Sequence, residues 1–132
     1  SPADAAFLSS ENETMVSVNR KGEVWVFAEQ EDGVLNDVAL ELCGKARQLA
    51  DELGVKVGAV LGGKDVKGLA NRLIAQGVDN VYLVDDEKLA HLQTCSYSKV
   101  LTTLIEKYEP QIVLFGATHV GRDVAPRVRA WW

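Results

Sequence analysis

The 132-residue sequence has few of the features that mark disulfide-rich, secreted or membrane-spanning proteins. Its two cysteines, Cys43 and Cys95, are too few for a disulfide framework and lack the spacing of metal ligands. No apolar run approaches the roughly 20 residues that cross a bilayer. Residues 1–15 do not show the basic and then apolar order of a secretory signal. We therefore expect a soluble protein without a membrane span, in a bacterial cytoplasm or a mitochondrial matrix.

Positive charge is also scarce. Lysine and arginine number 14 against 19 aspartate and glutamate residues, which gives a net charge of -5. Nucleic-acid binding needs clustered lysine and arginine to neutralise phosphates, so we expect no nucleic-acid partner. A hydrophobic content of 47% at this length instead predicts one domain with its own core.

Short apolar runs alternate with helical patterns along the chain. Strands are predicted at residues 24–28, 55–61, 81–84 and 112–115, with apolar side chains on both faces as in a buried parallel sheet. The helices that follow them are predicted to begin after the N-caps Asn36, Asp65, Ser96 and Asp123. This alternation predicts an α/β fold in which helices cover both faces of a parallel sheet. Residues 1–20 are mostly small and polar, with one apolar cluster at residues 5–8, and are expected to form a flexible tail. The domain is expected to span residues 21–132.

The most informative stretch is residues 111–128, with the sequence QIVLFGATHVGRDVAPRV. It predicts a strand, an open glycine-bracketed loop and a helix with Pro126 in its first turn, where no amide hydrogen is needed. Ligands of open parallel sheets usually bind beyond the carboxyl ends of the strands, where helix amides point. The candidate residues for contact with a ligand or partner are therefore Gly116, Thr118, Gly121 and Arg122.

A structural interpretation of the same loop stays open. Gly116 and Gly121 have the spacing of the glycines of a phosphate-binding P-loop, but Arg122 and Asp123 stand where that motif needs lysine and then serine or threonine. The glycines could simply permit a tight turn, with Arg122 paired to Asp123 or a nearby carboxylate. Spacing alone favours this second interpretation.

The remaining polar residues predict no catalytic or metal site. Residues 85–87 read Asp-Asp-Glu, which acidic capping of a helix start explains better than metal binding. His91 is expected on a short helix as a surface or structural side chain. His119 lies in the glycine loop and could hydrogen-bond a partner. Neither histidine is expected to act as a catalytic base.

Two segments of the chain resemble one known family. Residues 116–127, GATHVGRDVAPR, closely resemble the G-x-T-x-x-G-R-D-L-A-P-R signature in the N-terminal domain of the electron-transfer flavoprotein alpha subunit. Residues 24–30, VWVFAEQ, followed by Gly33 and Leu35, are similar to the first strand and turn of that family. The resemblance covers residues 23–127. It implies a Rossmann-like sheet of the adenine-nucleotide-alpha-hydrolase type with strand order 3-2-1-4, and it places residues 29–32 opposite residues 116–121.

The resemblance also implies a function. It predicts an electron-carrier subunit domain that is not itself an enzyme, works in a heterodimer with a beta subunit and receives electrons from flavin dehydrogenases. FAD is expected in the full-length parent, held by a C-terminal domain, and no flavin is expected to bind this chain tightly. Arg122 and Arg127 are expected to anchor the loop and contact the partner. The alternatives are a small nucleotide-binding domain of the stress-protein type and a scaffold domain.

The end of the sequence departs from the family pattern at Arg129, which is followed by Ala130, Trp131 and Trp132. A truncation there would leave the fourth strand at an unprotected edge of the sheet, and such edges recruit other chains. The third strand is predicted to be the other edge of the sheet, and it is short, which makes pairing with another chain less favourable. The fourth strand is therefore the favoured place for a second chain to pair. We therefore expect self-association through the fourth strand or the terminal tryptophans.

Overall fold

The computed structural model describes residues 6–8, 15–17, 21–91 and 94–129, with side chains for residues 21–91 and 95–128. Within the predicted tail, Ala6–Leu8 and Met15–Ser17 pair as antiparallel strands. The tail itself stays a prediction, because the rest of residues 1–20 is not described. Trp131 and Trp132 also lie outside the described residues.

The core of the domain is a four-stranded parallel sheet. Its strands are β1 (Val24–Ala28), β2 (Val57–Gly63), β3 (Asn80–Asp85) and β4 (Ile112–Leu114). They lie in the order β3-β2-β1-β4, with Val24 of β1 opposite Val57 of β2 and Ile112 of β4. The predicted order 3-2-1-4 is confirmed. All five residues of β1 are buried, so this strand is the centre of the fold.

Helices cover both faces of the sheet and complete three layers, as predicted. They are α1 (Asp37–Leu53), α2 (Lys67–Ala75), α3 (Thr94–Tyr108) and α4 (His119–Arg129). Because side chains alternate along a strand, Val24 and Val26 face the core cluster that includes α1 and α2 residues. Trp25 and Phe27 point to the opposite cluster, which includes residues of α3 and α4.

The ends of α1 follow the sequence signals closely, and they also explain where β2 begins. The side chain of Asn36 accepts a hydrogen bond from the amide of Val38 at 3.0 Å, as an N-cap does. Gly54 closes the helix with a left-handed φ of 70°. The amide of Val55 donates to the carbonyl of Ala50 at 2.9 Å, so residue 55 belongs to this cap. The strand therefore begins at residue 57 and runs to residue 63, two residues later than predicted at each end.

The predicted starts of α2 and α3 are wrong. Asp65 has a φ of 54°, outside the helical region, and its amide donates to the carboxylate of Asp85 at 3.3 Å. The N-cap of α2 is Val66, which makes no capping hydrogen bond with its side chain. Helix α3 begins at residue 94 rather than after Ser96, so Cys95 lies within the helix. The earlier start places Tyr97 in the first turns, where it is buried.

The fourth strand is an edge strand, but it is less buried than its sequence indicates. Its three residues are half-buried rather than enclosed on both faces. It pairs with β1 on one side only among the described strands. The premise that β3 is the shorter edge is wrong, since β3 has six residues and β4 has three. Strand length therefore does not single out β4 as the seam for self-association.

Candidate functional site

The loop after β4 is organised by Thr118, which caps α4. Its hydroxyl oxygen accepts a hydrogen bond from the amide of Gly121 at 2.9 Å. Its carbonyl oxygen accepts the amide of Arg122 at 2.9 Å, the first helical bond. These two bonds are those of a threonine N-cap. The helix therefore begins at His119, directly after the cap.

This start corrects the predicted start of α4. Asp123 is not the N-cap but lies in the second turn, and Pro126 lies well inside the helix rather than in its first turn. The general preferences for aspartate at N-caps and proline in first turns pointed to a later start. Thr118 satisfies the same preference five residues earlier, and it also has a tertiary hydrogen-bond partner in Glu29.

The two glycines close the loop on itself. A Cβ atom on Gly121 would overlap the carbonyl oxygen of Gly116. A Cβ atom on Gly116 would lie 2.9 Å from a methyl group of Val38 and 3.3 Å from the carboxylate of Glu29. The predicted open loop is therefore a compact turn. The amides of Gly121 and Arg122 both donate to oxygen atoms of Thr118.

Glu29 joins this turn to the end of β1. The Thr118 hydroxyl donates to the Glu29 carboxylate at 2.6 Å, and the Glu29 carbonyl accepts the amide of Asn36 at 2.9 Å. Glu29 is only 1% exposed. Burial raises the pKa of its carboxyl group above the usual value of 4.5, and the Thr118 hydrogen bond partly opposes that rise. The predicted meeting of residues 29–32 with residues 116–121 is confirmed by this contact.

A threonine hydroxyl 2.6 Å from a carboxylate also resembles an activated nucleophile and its base. The surroundings favour a structural role. The hydroxyl oxygen is already engaged by the Gly121 amide, and Glu29 is sealed from solvent. We interpret the pair as a clasp between β1 and α4.

Replacing Glu29 with glutamine should alter how stability depends on pH. The raised pKa means that the folded state keeps its proton to a higher pH than the unfolded chain. The stability that this proton contributes is fully present below about pH 4.5 and is lost as the pH rises through the folded-state pKa. Glu29→Gln cannot ionise and keeps an oxygen that accepts from Thr118. Its stability relative to the native chain should therefore increase with pH, as measured by chemical denaturation across a pH series. A difference that stays constant or decreases with pH would contradict this account.

A second buried group at this edge was not predicted from the sequence. The amide nitrogen of the Gln30 side chain lies 2.9, 3.0 and 3.0 Å from the carbonyl oxygens of Gly62 and Leu89 and the hydroxyl oxygen of Tyr97, and its two hydrogens are shared among these three acceptors. Its oxygen accepts the amide of Gly33 at 2.9 Å. Gln30 is 1% exposed, so these bonds replace the water it lost. They fix the ends of β1 and β2 and the segment before α3 as one unit.

The outer surface of the loop carries the charges. Arg122 is exposed and makes no side-chain hydrogen bond or ion pair with any of the described residues, so the expected Arg122–Asp123 pair is not formed. Asp123 instead lies 3.6 Å from the exposed imidazole of His119. Arg127 contacts the sulfur of Cys95 on α3 at 3.5 Å. The loop thus has an inner side held by the bonds of Thr118 and an outer side with an available guanidinium group.

The architecture defines the class of the protein. A parallel sheet of order 3-2-1-4 between two helical layers, with its loops gathered at the carboxyl edge, is a Rossmann-like α/β domain. Among solved structures, the chain is similar to a universal stress protein in complex with cAMP, with a TM-score of 0.51, 16% sequence identity, and coverage of 83% of this chain and 90% of that one. At this identity the likeness shows the fold alone and gives no support to the nucleotide-binding alternative.

Residues 24–132 match the family model described as electron transfer flavoprotein domain, and the chain belongs to this family. It is 47% identical over 111 residues to the electron transfer flavoprotein subunit alpha of Thermoanaerobacterium thermosaccharolyticum, covering 84% of this chain and 34% of the relative. It is 50% identical over 105 residues to the subunit of the same name from Megasphaera elsdenii, covering 80% and 31%. The lactate dehydrogenase (NAD(+),ferredoxin) subunit LctC of Acetobacterium woodii is 36% identical over 129 residues, covering 98% and 31%.

The chain spans about a third of the length of these curated relatives. None of the helices that the structure describes combines the length and the apolar character that crossing a bilayer requires.

Proposed function

We propose that this chain is the N-terminal α/β domain of an electron-transfer flavoprotein alpha subunit, and that it serves as a structural and subunit-interface domain rather than as an enzyme. In this role it would assemble with a beta subunit into a carrier that takes electrons from flavin dehydrogenases to an acceptor. The family match over residues 24–132 supports this proposal, as do the names of the most similar relatives. We place the protein in the bacterial cytoplasm, or in the mitochondrial matrix if its source is eukaryotic.

The observation that carries the interface role is the two-sided loop at residues 116–122. On its inner side, Thr118 bonds to Gly121, Arg122 and Glu29 within the domain. The exposed guanidinium of Arg122 has no partner among the described residues. A guanidinium group stays charged near neutral pH and binds carboxylates or carbonyls in a fixed geometry, but it cannot act as a base. These properties suit contact with another chain better than chemistry.

Two of the amides at the start of α4 are not available to the phosphates of FAD. Phosphate cradles present several free backbone amides, often beside glycines that leave room for the ligand. Here the amides of Gly121 and Arg122 are bonded to Thr118, and the space beside Gly121 is filled by the Gly116 carbonyl. We therefore propose that FAD of the parent protein is held elsewhere and that this chain binds no flavin tightly.

A chimeric subunit tests the proposal. This chain would replace the matching part of the Megasphaera elsdenii alpha subunit, to which it is 50% identical, and the chimera would be co-expressed with that organism's beta subunit. We expect the two chains to co-purify with a flavin absorption band, and the isolated 132-residue chain to show no such band after desalting. A chimera that folds but does not retain the beta subunit would contradict the interface role. A stoichiometric flavin band on the isolated chain would contradict the proposed location of the cofactor.

Self-association through a sheet edge is a separate proposal. The outer edges of β3 and β4 are both unpaired among the described strands, and open edges can pair with a second copy. Light scattering across a range of concentrations tests this prediction, with Val113→Lys on β4 compared with Leu83→Lys on β3. If β4 is the seam, only Val113→Lys should restore a monomer. A native chain that is monomeric at high concentration would refute the proposal.

A further inference from the structure

The segments that follow strands β1 and β3, which lie on either side of β2 in the sheet, meet beside the candidate site. After β1, Gln30–Glu31 and Val34–Leu35 pair as a short antiparallel ribbon, with Asp32 at its turn. After β3, a 3₁₀ helix at Glu87–Leu89 leads to His91. The amide of Asp32 donates to the carbonyl of Ala90 at 3.2 Å, which links the two segments directly.

Three side chains with metal-binding atoms converge at this junction. The Nδ1 atom of His91 lies 3.2 Å from an oxygen of Asp32 and 3.6 Å from an oxygen of Glu31. All three ligand atoms lie within 4.8 Å of one another. Zinc bonds of roughly 2.0–2.2 Å in a tetrahedral site imply separations between ligand atoms of about 3.3–3.6 Å. The two distances from the imidazole are close to that range.

The backbone of the junction is held in place without a metal. The buried side chain of Gln30 bonds to the carbonyl of Leu89 at 3.0 Å and to the amide of Gly33 at 2.9 Å. These residues flank the three candidate ligands on both segments. A metal ion would therefore need to order only exposed side chains, and such preorganisation lowers the cost of binding.

We propose that Glu31, Asp32 and His91 bind a divalent transition-metal ion of the zinc class. One imidazole and two carboxylates suit Zn²⁺ or Co²⁺, whereas Ca²⁺ and Mg²⁺ prefer ligand sets made of oxygen alone. All three side chains are exposed, so a fourth position faces solvent and can take water or a partner's ligand. This site is independent of the proposed subunit interface. The competing interpretation is a simple surface ion pair between His91 and the two acids.

In the test, Zn²⁺ is titrated into the full 132-residue chain and binding is measured by calorimetry. The absorption spectrum of bound Co²⁺ gives a second measure of coordination. We expect one Zn²⁺ per chain and affinity at least ~tenfold weaker in each of His91→Ala, Asp32→Asn and Glu31→Gln. The other histidine provides a matched control. His119 is also exposed and lies 3.6 Å from an aspartate, but it has only that one acidic partner among the described residues, so His119→Ala should bind Zn²⁺ as the native chain does.

Thermal unfolding without metal checks that each variant is folded. Asp32→Asn is the safest change, because asparagine tolerates the positive φ of 52° at this turn. Zn²⁺ should raise the melting temperature of the native chain and have little effect on this variant. The proposal is overturned if the native chain does not bind Zn²⁺, if the three variants bind it as tightly as the native chain, or if His119→Ala loses it equally.

Discussion

Replacing Gly121 with alanine should destabilise the domain by about 3 kcal/mol or more, at or beyond the upper range for extra volume forced into a packed site. The added Cβ atom would overlap the carbonyl oxygen of Gly116, a backbone atom that cannot rotate away. Separating the two residues would also pull the Gly121 amide from the hydroxyl of Thr118. We therefore expect loss of the α4 start as well as a lower free energy of unfolding.

Chemical denaturation measures this effect, and the same substitution in α1 provides a control of opposite sign. Gly44 lies within α1, and a Cβ atom there would meet nothing within 4 Å. Gly44→Ala should stabilise the domain by about 0.5–1 kcal/mol, because alanine loses less conformational entropy in a helix. If Gly121→Ala were also neutral or stabilising, the close contact between the two loop glycines would not exist in solution.

Replacing Thr118 with valine should cost about 3 kcal/mol. Valine has nearly the same shape but cannot cap α4, a loss of about 1 kcal/mol. It also removes the donor to the buried Glu29 carboxylate, and hydrogen bonds to charged groups contribute roughly 1.5–3 kcal/mol. Thr118→Ser keeps the hydroxyl and should retain most of the stability. Equal stability of the serine and valine variants in denaturation experiments would show that the hydroxyl does not clasp β1 to α4.

The sheet could be predicted from the sequence because its signals are local and repeated. Each apolar run marked a strand to within two residues or so, and the order 3-2-1-4, implied by the family resemblance, is the order observed. Three of the four predicted helix starts were wrong, at Asp65, Ser96 and Asp123. Good capping residues are common in loops, and tertiary bonds decide which of several candidates begins the helix. At α4 the decisive bond joins Thr118 to Glu29, 89 residues earlier in the chain.

The candidate site was predictable only in part for the same reason. The glycine loop and its meeting with residues 29–32 followed from the motif and the strand order. The hydrogen bond between Gln30 and Tyr97 joins residues that are 67 positions apart. No sequence spacing marks such a pair, because many other polar residues could supply the same donors and acceptors. From the sequence, His91 is expected only as a surface or structural side chain, because its neighbours Glu31 and Asp32 are supplied by the turn after a different strand.

The central claim is that the loop after β4 is bonded internally and uses Arg122 to bind another chain. The most direct test is the affinity of the chimeric alpha subunit for the beta subunit, with Arg122→Ala compared with Arg72→Ala on α2, across the sheet from α4. We predict that Arg122→Ala weakens the heterodimer by roughly tenfold or more, as loss of an interfacial arginine does, without changing the thermal stability of the isolated chain. Arg72→Ala should leave the affinity unchanged. Unchanged affinity in Arg122→Ala, or flavin reduction abolished with assembly intact, would contradict the account.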